Sequence, residues 1–259
     1  MLGIFGQKSG FEDVSDSAVV FSRWTHDEDP AESYPVVILF DSEAAGRAHT
    51  RGLTHIAVVT AGFSDEAIIR DQMPDGALIM QLRAALDQAF TDICAKMKVK
   101  ANLLATQTGG GARHYFLLTD DVEKVRNAVL TVTAPRSISL NVWKRDDLPS
   151  LVGWLEPSRL ESWTLRDDEL RSVFAERGDD GVGPRDTRFF FHGGDQQALG
   201  EAVIQAGFKR EPSQGVTTAS RDMPITADEM NPLNVVFSEW VDAFGVDYDG
   251  WEAALLVKN

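Results

Sequence analysis

The sequence predicts an α+β protein of two domains, and three observations carry that prediction. Short β-branched and aromatic runs recur along the chain, each ended by Gly, Pro, Asn or Asp. Between them lie stretches with apolar residues at i, i+3, i+4 and i+7, the period of a half-buried helix. At 259 residues, with 43% hydrophobic and 25% charged residues, the chain has the size and composition of two ordinary globular domains. The expected division is an α+β domain over residues 1–158, a helix and linker over 159–183, and a final domain over 184–259.

In chain order, residues 1–16 carry little pattern. Ala18–Trp24 and Tyr34–Phe40 read as strands around an acidic loop, Thr25–Ser33, and Leu53–Thr60 reads as a third. Pro74-Asp75-Gly76 opens a long helix with Leu78, Leu82, Leu86, Ile93 and Met97 on one face. Asn102–Thr108 and Arg113–Thr119 form a hairpin across Gly109-Gly110-Gly111. A phosphate loop needs a helix N-terminus directly after its glycines; a strand follows these, so they read as a flexible hairpin connection. Asp120-Asp121 caps a helix that turns Val122, Val125, Ala128 and Val129 inward, and Ser137–Trp143 is the next strand. The first domain is therefore expected to be a mixed α+β sandwich of strand–helix units. Asp146–Ser158 closes it, residues 159–177 are helical, and Gly178–Pro184 is a flexible lead into the last domain.

Arg188–His192 is an aromatic run too short for a helix, stopped by Gly193-Gly194. Asp195 caps a helix with Leu199, Ala202, Val203 and Ala206 on one face, and Gly207 occupies its C-terminal cap. Phe208–Glu211 and Gly215–Arg221 are strands about a Pro-Ser-Gln turn. A second helix carries Leu233, Val236, Phe237, Trp240, Val241 and Phe244; Asn231 is its expected N-cap, because Pro232 is best tolerated at the first helical position. Asp247–Val257 returns as a strand. The order βαββαβ is the ferredoxin-like plan, one sheet face covered by two helices. An echo at an offset of 74 residues pairs Phe116 with Phe190 and Asp121 with Asp195, the same strand–cap–helix unit in both halves.

The final stretch resembles the bacterial regulator of ribonuclease E activity B (RraB) family over roughly residues 165–259. The likeness rests on Asp168-Glu169-Leu170, Glu176-Arg177-Gly178-Asp179-Asp180, the Arg185–Phe191 strand, the Ala202–Phe208 helix end and Tyr248-Asp249-Gly250-Trp251. It implies a non-catalytic protein that binds an endoribonuclease of the ribonuclease E type and modulates it, without a cofactor. Trp154-Leu-Glu-Pro-Ser158, the Tyr34-Pro35 strand and the Tyr115-Phe116 strand resemble an uncharacterised bacterial domain that can precede the regulator domain.

The formal net charge is −15, spread over both halves. Direct nucleic-acid binding is disfavoured, since it needs Lys and Arg to neutralise phosphates, whereas a basic protein partner fits the sign. The expected interaction surface comprises Asp228, Glu229, Glu239 and Asp242 on the last helix with Asp247, Tyr248, Asp249 and Trp251 after it. Trp251 has a second reading, as a core residue packed under that helix. Cys94 is the one cysteine and reads as a buried structural thiol; with no signal-like N-terminus, the protein is expected to be cytoplasmic. No nucleophile elbow, Walker loop, His-Glu-x-x-His pair or dinucleotide fingerprint is present, so no catalytic, metal or cofactor residue is assigned. The competing expectation is a small-molecule or metal-dependent enzyme with a site between the domains, using His49, His55 or His114. Convergence of those histidines beside acids in one pocket would mark it.

Overall fold

A computed structural model describes residues 11–12, 15–25, 34–62, 87–88, 91–92, 94–131, 138–213 and 215–256. The chain is mixed α+β and divides into two compact units, Met1–Glu156 and Pro157–Asn259. Most of the acidic loop before Tyr34, and most of the helix expected from Pro74, lie outside the described residues; Asp87, Gln88, Thr91, Asp92 and Cys94–Lys96 are helical. No described helix is long and apolar enough to cross a membrane.

The first unit is a sheet of β1 (Phe11–Glu12), β2 (Val19–Trp24), β3 (Pro35–Phe40), β4 (His55–Gly62), β5 (Ala101–Gly109), β6 (Ala112–Thr119) and β7 (Ile138–Lys144). Its order is β2-β3-β5-β6-β4-β7, antiparallel throughout, with β1 joining β5 in parallel. Helices α1 (Ala44–Thr50), α2 (Val122–Thr131) and α3 (Leu148–Leu155) accompany it. One sheet face buries Ala57, Val59, Tyr115 and Leu117 against Val125 and Ala128 of α2 and against Cys94. Asp121 caps α2, its carboxylate accepting from the Lys124 amide at 3.2 Å. Asp87 binds the helical segment to the sheet: its carboxylate accepts from Arg113 Nε and Nη2 at 2.9 and 2.8 Å and from the Tyr115 hydroxyl at 2.7 Å.

The triple glycine is not a loose connection. A Cβ on Gly109 would lie 2.5 Å from the Pro35 carbonyl, and one on Gly110 would lie 2.5 Å from the Tyr34 ring. With Gly110 and Gly111 at φ +57 and +72°, the turn also needs left-handed backbone at two successive positions.

The second unit runs α4 (Arg159–Glu176), β8 (Arg185–His192), α5 (Gln196–Gln205), β9 (Lys209–Ser213), β10 (Val216–Met223), α6 (Ala227–Phe244) and β11 (Asp247–Ala253), with antiparallel sheet order β11-β8-β10-β9. Phe189, Phe191 and Ala219 turn from the sheet toward Leu199 and Val203 of α5 and Phe237 and Trp240 of α6. Asp195 caps α5 through the amides of Gln197 and Ala198. Gly245 closes α6 in the left-handed region at φ +64°.

The helix expected over 159–177 is present as α4: it begins on a Ser158–Glu161 capping box, and its Trp163, Leu170 and Phe174 pack against the second unit's core. Two expectations need correction here. Gly178–Pro184 is tied down by the Asp179 carboxylate, which pairs with Arg185 and accepts from the Gly181 and Leu256 amides. Helix α6 starts after Thr226 rather than Asn231, so Pro232 lies inside it. Met230, fully buried in the first turn, supplies the reason. Starting the helix at Pro232 would remove that side chain from the core, a larger loss than one hydrogen bond to the Asp228 carbonyl on an exposed face.

Candidate functional site: an acidic helix face and a separate cleft

The acidic surface is built by the 3.6-residue period of α6. Its inward positions Met230, Asn234, Phe237 and Trp240 are buried, which turns Asp228, Val235, Glu239 and Asp242 outward along one stripe, with Glu229 beside its start. Val235 is 47% exposed, so the stripe mixes carboxylates with an apolar patch. Asp242 accepts from Arg159 of α4 at 2.7 Å; the pair is exposed. Asp247 and Asp249 are also exposed on β11.

Tyr248 and Trp251 do not belong to this surface in the same way. In a regular strand, residues three apart point to opposite faces. A bulge between Tyr248 and Gly250 inserts one residue, so Tyr248 pairs with Phe191 and Trp251 with Phe189, both on the core side. Gly250 makes this turn at φ +112°, where a Cβ would lie 2.6 Å from Arg166 Nη2. Trp251 is 8% exposed, and it is withdrawn from the expected surface. Its indole Nε1–H donates to Asp167 Oδ1 at 2.7 Å, and Asn234 Nδ2 donates to Oδ2 at 2.8 Å. One buried carboxylate thus joins α4, α6 and β11. Burial pushes the Asp167 carboxyl above its usual range, while Asn234 and Trp251 pull it back. Burial and the charge of Asp167 raise the Tyr248 phenol.

The histidines named as an alternative site are dispersed. His49 is exposed on α1. His55 and His114 sit at opposite ends of the β4–β6 ladder: His55 faces Thr119 and His114 faces Thr60. The odd–even difference also turns them to opposite sheet faces. No group of three His, Cys, Asp or Glu among the described residues is placed to hold a metal ion.

A cleft of about 750 Å³ opens in the first unit instead, over the sheet face opposite α2. Val58 and Phe116 of the sheet, Leu151 and Trp154 of α3, and Tyr34 line it. Phe116 and Trp154 meet at 6.0 Å between ring centroids, and Trp154 is 45% exposed. Its polar lining includes Thr60, whose hydroxyl shares a 2.9 Å hydrogen bond with His114 Nδ1, and Thr25, Gln107, Asn141, Asp147 and Ser150. Burial lowers the pKa of His114, favouring the neutral ring. Spacing gave no sign of this cleft, because its lining comes from β4, β5, β6, β7, α3 and the ends of the β2–β3 connection. The clue available was Trp154, an aromatic on a short helix.

The chain matches no family model, and no curated protein is significantly similar to it.

Proposed function

We propose that the protein is a non-catalytic regulator that acts by binding another protein, with the second unit a ferredoxin-like domain of the RraB type and a ribonuclease E-type endoribonuclease as the partner. The order β11-β8-β10-β9, with one helix after β8 and one before β11, supports the domain assignment. The observation that carries the binding role is the exposed stripe Asp228–Val235–Glu239–Asp242, flanked by Glu229. An acidic helix face with an apolar centre is complementary to a basic, partly apolar segment of a partner. Tyr248 and Trp251 support that stripe from beneath by fixing α6 and α4 on the sheet. The chain's excess of acidic residues strengthens steering toward a basic surface and opposes RNA as a direct ligand. Occupancy of such a segment would alter RNA access or assembly of the ribonuclease complex.

The test is capture from bacterial lysate by the full chain at low and high salt, alongside the variant Asp228→Asn/Glu229→Gln/Glu239→Gln/Asp242→Asn. Ribonuclease E is expected with the native chain at low salt, and reduced both at high salt and with the variant. Recovery of no ribonuclease at either salt would sink the proposal.

A further inference from the structure

We infer that the first unit's cleft is a binding site for a small, uncharged ring compound whose edge carries adjacent N–H and C=O groups, as in a lactam. The carrying observation is Gln107. Its side chain lines the cleft, the residue is only 4% exposed, and no hydrogen bond joins its amide to another described residue. The amide atoms are not among the described polar atoms sealed from solvent without a partner, so they open onto the cleft, where a complementary group can pair with them. A primary amide offers donor and acceptor side by side, and the edge that satisfies both is another amide edge.

Four further features define the rest of the ligand. Tyr34, Phe116 and Trp154 supply aromatic faces, and the half-exposed Trp154 gives a flat ring a surface to stack on. The described lining contains no Lys or Arg and holds Asp147, so a phosphate or carboxylate would enter without a counter-charge. The volume of about 750 Å³ falls within the range of small-molecule sites, roughly 300–1,000 Å³. His114, held through Nδ1 by Thr60, adds a neutral hydrogen-bonding group beside the amide.

The experiment titrates the full chain with three probes by saturation-transfer NMR and calorimetry: quinazolin-4-one, its 3-methyl derivative and quinoline-2-carboxylate. Quinazolin-4-one is expected to bind with a Kd below about 1 mM. The 3-methyl compound lacks the N–H and the carboxylate carries the wrong charge, and each should bind at least about tenfold more weakly. Gln107→Met, close in shape, should weaken quinazolin-4-one about tenfold without lowering the thermal midpoint, since it removes an unpaired amide. Trp154→Ala, at an exposed position, should also weaken it and serves if the Gln107 variant fails to fold. Absence of quinazolin-4-one binding at about 1 mM would overturn the inference. So would equal binding of the methylated or anionic probe, or unchanged binding by a folded Gln107→Met or Trp154→Ala protein.

Discussion

Asp179 and Arg185 form a fully buried ion pair, each side chain 1% exposed. The Arg185 guanidinium beside it, helped by the Gly181 and Leu256 amides, holds the Asp179 carboxyl well below the usual carboxylate range. Breaking such a pair from one side leaves an uncompensated buried charge, so Asp179→Ala should cost the second unit about 3–5 kcal/mol in urea unfolding. The pH dependence has a defined sign. A folded-state pKa below the unfolded value gives stability that is complete above about pH 4 and is lost as pH falls toward the lowered value. Asp167, raised by burial, acts in the opposite direction, because its protonation in acid relieves a desolvation cost. The Asp179→Asn variant should therefore lose less stability than the native chain between neutral pH and about pH 3. A parallel decline would contradict this account. Cys94, fully buried and pushed up to about 12 by that burial, should resist a thiol reagent at neutral pH until the first unit unfolds, as absorbance of the released chromophore would show.

At the scale of the element, β11 and α6 each break a local rule for a tertiary reason. The bulge at Asp249-Gly250 brings two aromatic side chains to one face of β11, and only glycine accommodates φ +112° there beside Arg166. Gly250→Ala should destabilise the second unit by about 1–3 kcal/mol, measured by its thermal midpoint and by the Trp fluorescence change on unfolding. Helix α6 keeps Pro232 in its interior on an exposed face, at the expense of one backbone hydrogen bond. Pro232→Ala should stabilise the helix by about 1–3 kcal/mol, since Ala restores the N–H and carries the highest helix propensity. A lower urea midpoint for that variant would show that proline restriction of the unfolded chain outweighs the lost bond.

At the scale of the molecule, each unit closes its own core, one around Tyr115, Leu117 and Cys94 and the other around Phe189, Phe191 and Trp240. Asp179→Ala should accordingly lower the unfolding transition of the second unit while leaving Cys94 protected. Simultaneous exposure of Cys94 would show that the units unfold together. The net charge of −15 belongs to this scale too, as it acts over distances longer than any single pair and is screened by salt.

What the sequence determined by itself was the class of element and its order. Period and punctuation are local properties, so β8, α5 with its Asp195 cap and Gly207, the Gly109–Gly111 hairpin, and α2 after Asp121 were legible from residues a few positions apart. The acidic outer stripe of α6 was legible for the same reason, since a helix's buried face fixes its exposed one. Tertiary structure alone decided the rest. It chose Thr226 over Asn231 as the start of α6, because the core needed Met230. It turned Trp251 inward, made Gly178–Pro184 part of the second unit through Asp179 and Arg185, and sent His55 and His114 to opposite faces. It also built the cleft from side chains as distant in sequence as Tyr34 and Trp154. Each outcome depends on which distant groups desolvate one another, and desolvation is a property of neighbours in space that no local period records.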